Sequence, residues 1–101
     1  MRMILFFDLP SITKKDNREY VKFVKKIKKL GFVMMQESVY TKLAINPNAV
    51  AACMAELKKY LPPEGIVSVL NITEKHFSSI ENLIGEIKTD VINSEDKVIK
   101  L

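Results

Sequence analysis

A chain of 101 residues, 48% hydrophobic and 28% charged, fits one small globular domain spanning residues 1–101 and excludes a disordered segment. A single cysteine, Cys53, and a single histidine, His76, exclude an intrachain disulfide and a Cys/His zinc cluster, and they suit a reducing cytoplasm. The net charge of +4 permits an anionic partner, while the only early apolar run, Met3–Phe7, is too short for a membrane span or signal-peptide core. The expectation is a soluble cytoplasmic protein.

Met3-Ile4-Leu5-Phe6-Phe7 predicts a strand covered on both faces and stopped by Pro10. Thr13 and Asp16 have the spacing of a capping pair. Tyr20, Phe23, Val24, Ile27 and Leu30 then follow the i, i+3, i+4, i+7 rule of a helix, with Gly31 where a C-terminal cap belongs. Phe32–Leu43 predicts a second strand region, with a bulge or bend where Gln36, Glu37 and Ser38 interrupt it. Asn46-Pro47 opens a second helix whose spacing runs through Val50, Cys53, Met54, Leu57 and Leu61, before Pro62-Pro63 ends it. Ile66–Thr73 predicts another strand, Thr73–Ser79 a helical turn, Leu83-Ile84 a brief fourth strand and Lys97–Leu101 a terminal edge strand.

The order β-α-β-α-β followed by short strands predicts an α+β, ferredoxin-like (split βαβ) sheet with two helices on one face. Strands that are apolar on both sides leave the other face to be covered. A second copy of the chain is the simplest cover, so a homodimer is expected.

Asp8 closes an apolar strand, where an ionised carboxylate must be solvated, paired or metal-bound. A solvated strand-end acid or a cap for the next turn fits the residues as well as a ligand does. On the first helix, Lys15, Arg18, Lys22, Lys25, Lys26 and Lys29 fall in a stripe roughly 100° wide. No acid interrupts it, and Asp16 and Glu19 lie off it. It is either a solvated face or a phosphate-backbone surface, with Lys14, Lys15, Arg18 and Lys22 as the contact candidates. Tyr40 and Cys53 fit core positions, and His76 fits an exposed turn.

Four segments in order resemble the Cas2 family of CRISPR adaptation proteins. They are Met3–Pro10, a hydrophobic strand ending in aspartate; Gln36–Leu43, with its Ser-Val-aromatic run; Thr73–Phe77; and Asn93–Asp96. The last two are similar to the variant found beside the Cas9 effector. The resemblance implies a ferredoxin-like homodimer bound to the Cas1 integrase, holding double-stranded DNA fragments for spacer acquisition. It also implies a magnesium-dependent endonuclease class acting on RNA or DNA, with Asp8 as catalytic residue and Mg2+ ligand. Ser38 and Tyr40 resemble residues near that aspartate. Lys97, Val98, Ile99 and Lys100 resemble a terminal strand that pairs with the partner subunit's sheet edge. One magnesium ion usually takes one or two carboxylates plus water and phosphate, so Asp8 and its symmetry mate would supply the pair.

Two other classes share parts of this pattern. A stand-alone, toxin-like metal-dependent ribonuclease would use Asp8 in isolation. A non-enzymatic RNA-binding module of the same fold would be monomeric; Leu30-Gly31-Phe32-Val33 resembles part of its signature, although there it sits on the third strand.

Overall fold

The computed structural model describes residues 1–85. Seven elements follow in order: β1 (Arg2–Asp8), α1 (Lys14–Lys29), β2 (Val33–Gln36), β3 (Val39–Leu43), α2 (Pro47–Lys59), β4 (Ile66–Ile72) and the one-turn α3 (Glu74–Phe77). The strands form one antiparallel sheet in the order β2-β3-β1-β4. This βαββαβ arrangement is the ferredoxin-like fold that the pattern predicted.

The expected second strand is in fact two. Gln36 pairs with Val39, so Glu37 and Ser38 form a two-residue hairpin turn, and the register slips between Met34 and Gln36. Ser38 takes φ of 64°, the left-handed conformation that tight hairpin turns require. The polar interruption therefore marks a reversal of the chain rather than a bend within one strand. The strand expected at Leu83-Ile84 is absent: both residues lie in a bend, fully exposed and without ladder partners. The expected edge strand Lys97–Leu101 and the segment Asn93–Asp96 lie outside the described residues.

Both ends of α1 are closed by local chemistry. The Thr13 hydroxyl accepts from the Asp16 amide at 3.0 Å, and the Asp16 carboxylate accepts from the Thr13 amide at 3.1 Å. At the far end Gly31, with φ of 102°, donates to the Lys28 carbonyl, and Phe32 donates to Ile27. These two hydrogen bonds close the last turn around a left-handed residue. The Lys42 ammonium donates to the Leu30 carbonyl as well. Asn46 caps α2 through the Ala49 amide, with Pro47 as the first helical residue.

The core lies between the helices and one face of the sheet. Met3, Leu5 and Phe7 point into it from β1, Phe23 and Ile27 from α1, Cys53 and Leu57 from α2, and Tyr40 from β3. Phe7 is its hub: it meets Phe23 edge-on at 5.2 Å and Tyr20 at 6.0 Å, and it stacks on Tyr40 at 5.8 Å. Burial raises the Tyr40 hydroxyl and the Cys53 thiol above their usual pKa values, as expected of packing residues rather than reactive ones.

Candidate functional site

Strand alternation sends Arg2, Ile4, Phe6 and Asp8 to the face opposite the helices. Cross-strand register adds Val39, Thr41 and Leu43 from β3, and Ile66, Ser68, Leu70 and Ile72 from β4. This open face is mostly apolar, with Arg2, Asp8, Thr41 and Ser68 as its polar members, and its exposure is uneven. Phe6 is 43% exposed, Leu70 50% and Ile66 65%, whereas Arg2 at the other end of β1 is 3% exposed.

Asp8 stands at the exposed end of this face, paired in register with Ile66. Two neighbours set its position. The amide of Phe7 donates to the Ser38 carbonyl at 3.1 Å, tying the hairpin turn to the end of β1. On the other side Gly65, with φ of 106°, brings the α2–β4 connection so close that an added Cβ would sit 2.7 Å from the Asp8 carbonyl oxygen. Only glycine fits there. A shallow cleft nearby is lined by Leu9, Pro10, Tyr20, Pro62, Pro63 and Glu64 among others, and Asp8 is not part of it. The carboxylate therefore stands on a surface, accessible to a polymer or to another subunit.

Among the described residues no group of three or more His, Cys, Asp or Glu side chains could hold a metal ion. Within one subunit, Asp8 would need water, phosphate or a further carboxylate to complete a magnesium shell. A second Asp8 brought across the open face would supply that further carboxylate. His76 is exposed on α3, and its backbone amide donates to the Thr73 hydroxyl at 3.1 Å.

Lys14, Lys15, Arg18, Lys22, Lys25 and Lys29 all lie exposed on α1. Among the described residues none of them forms an ion pair; the bridges found join Arg2 to Glu74 and Lys59 to Glu56. Lys26 differs from the rest of the stripe: its ammonium sits 4.4 Å from the centre of the Tyr60 ring and is half-buried. It is the least available cation for phosphate. Chain direction puts the start of α1, with Lys14, Lys15 and Arg18, at the same end of the domain as Asp8 but on the other side of the sheet.

Sequence reasoning missed Arg2. Its guanidinium lies buried on the open face, donating to both Glu74 carboxylate oxygens at 3.0 and 2.7 Å and resting 4.2 Å from the Phe77 ring centre. Nothing local signals this contact, because the partners lie 72 residues apart.

Fold and site together define a ferredoxin-like protein with an acid at the end of its first strand, a largely apolar sheet face that no described element covers fully and a cationic first helix. The family model for CRISPR-associated protein Cas2 matches residues 1–80. Over the full length of both chains, this protein is 43% identical to the CRISPR-associated endoribonuclease Cas2 of Treponema denticola. It is also similar to proteins of that description in Streptococcus mutans (42% identical over the whole chain and 93% of the relative) and Ligilactobacillus salivarius (35%, full length of both). The chain belongs to the Cas2 family. No helix among the described residues is long and apolar enough to cross a membrane.

Proposed function

We propose that this chain acts in CRISPR adaptation as a homodimer paired through its open sheet face. In this role it joins the Cas1 integrase and holds double-stranded DNA for spacer acquisition. The observation that carries the proposal is the apolar face of Phe6, Ile66 and Leu70 ending in an exposed Asp8. A surface of that kind is costly in water and is relieved by a second copy. Pairing there leaves the α1 cations on the two outer sides of the dimer, about 10 Å or more from the seam. Duplex DNA following the cations would run along the outside, away from Asp8. That separation favours holding DNA over cutting it.

The endoribonuclease activity named for the relatives is carried by the same dimer as a second reading, since Asp8 and its mate would together present two carboxylates at the seam. A magnesium ion bound there would neutralise their repulsion and acidify a bound water. The chain's own part is to hold the two acids in place through Gly65 and the Ser38 carbonyl. RNA is the second nucleic-acid class in this reading.

Asp8→Asn separates the two roles. The isolated protein is assayed for magnesium-dependent cleavage of RNA and duplex DNA, and the complex with the integrase for DNA integration. Integration should survive the substitution, while any metal-dependent cleavage should disappear. Loss of integration by a variant that still dimerises and binds DNA would overturn the holding role.

A further inference from the structure

We propose that the cleft between the start of α1 and the α2–β4 connection is a docking groove for a second protein, whose occupying group is an arginine side chain flanked by apolar residues. The groove lies on the helical side of the sheet, so it is independent of what covers the open face.

Its floor is apolar and set by contacts within the fold. Leu9, one residue beyond Asp8, falls on the helical side and packs against the core. Tyr20 is held edge-on to Phe7. Pro10, Pro62 and Pro63 complete the apolar lining. Proline has no amide N–H, so these three positions offer ring surface and carbonyl acceptors but no donors. The open space of about 410 Å³ suits a side chain and its neighbours rather than a whole helix or strand.

Charge selects the occupant. Glu19 stands on the α1 wall and Glu64 on the connection. Among the described residues neither carboxylate has an ion pair or a hydrogen bond. The other charges on the lining are Lys15 and Asp16, which offset one another, and the Asp16 carboxylate already accepts from the Thr13 amide. Two unpaired acids therefore mark this groove on a chain whose net charge is +4 and whose α1 stripe is cationic. They repel phosphate, so nucleic acid following the stripe does not enter. A guanidinium is the complementary group. It brings five N–H donors to an acceptor-rich groove, pairs with carboxylates in a fork, and lies flat on an aromatic ring such as Tyr20. Apolar residues on either side of the arginine would cover Leu9 and the prolines, and arginine is enriched at protein interfaces.

The test titrates the isotope-labelled full chain with three blocked tripeptides, Leu-Arg-Leu, Gly-Arg-Gly and Leu-Glu-Leu, and follows backbone amide shifts by NMR. Leu-Arg-Leu should shift Leu9, Glu19 and Glu64 saturably and bind more tightly than Gly-Arg-Gly, while Leu-Glu-Leu should leave them unmoved. Glu19→Gln with Glu64→Gln should weaken Leu-Arg-Leu about fivefold, the effect of losing two partly exposed charge pairs, while affinity for duplex DNA holds or rises. If the double variant fails to fold, Glu64→Gln alone, at an exposed loop position, should weaken the peptide about twofold. Groove amides that ignore Leu-Arg-Leu, or answer Leu-Glu-Leu equally, would overturn the proposal. Equal binding of Gly-Arg-Gly would overturn it too, since the apolar floor would then select nothing. A fall in DNA affinity on loss of the two acids would assign the groove to the nucleic-acid surface instead.

Discussion

Asp8 owes its position to a neighbour without a side chain. Gly65 lies against the end of β1 with a positive φ, and a methyl group there would meet both the Asp8 carbonyl and the Leu9 side chain. Gly65→Ala should therefore cost roughly 1–3 kcal/mol, seen as a lower urea midpoint. It should also disturb any property that depends on Asp8. Phe7 and Asp8 illustrate how sharply adjacent residues divide: alternation buries one beneath three aromatic rings and leaves the other exposed on the opposite face.

Among the elements, α1 carries the clearest physical signature, and its start is sensitive to acid. The Thr13 amide holds the Asp16 carboxyl below its usual value of 3.8, assisted by the Thr13 hydroxyl and by Lys15. The unfolded chain therefore takes up this proton more readily than the folded one, and stability rises with pH across that window. The contribution is present above about pH 3.8 and is lost as pH falls through the lowered folded value. Asp16→Asn should flatten the acid side of the stability–pH curve, measured by urea unfolding between pH 2 and 5, and leave the neutral side unchanged in slope. The hairpin of β2 and β3 makes a different point. Its turn is Glu37-Ser38, without the Asn-Gly or Asp-Gly pair that signals a two-residue turn, and Ser38 accepts a left-handed conformation instead.

At the scale of the molecule, the helical layer is cationic on its outer side and the sheet is apolar on its free side. The two surfaces point in opposite directions. If four α1 cations per subunit meet phosphates, the log–log salt slope for duplex DNA is about −4 per subunit and about −7 for a dimer. Replacing Lys15 and Arg18 by glutamine should bring the dimer slope to about half, across unrelated DNA sequences alike. An unchanged slope in filter-binding titrations would place the phosphates elsewhere.

What the sequence determined by itself was whatever depends on near neighbours. The helix caps at Thr13, Gly31 and Asn46, the apolar spacing of α1 and α2, and the strand ending in Asp8 were all legible, because each is decided within a turn or a few residues. The double-sided apolarity of β1 and β4 also exposed the need for a cover on the free face. Only the tertiary structure decided which residues meet across the chain. It split Phe32–Leu43 into two strands, since pairing with β1 selects where the chain reverses. It denied Leu83-Ile84 a strand, leaving both residues exposed in a bend. And it joined Arg2 to Glu74 and Phe77, a contact with no local pattern, because a buried charge finds its counter-charge through the fold and not through spacing.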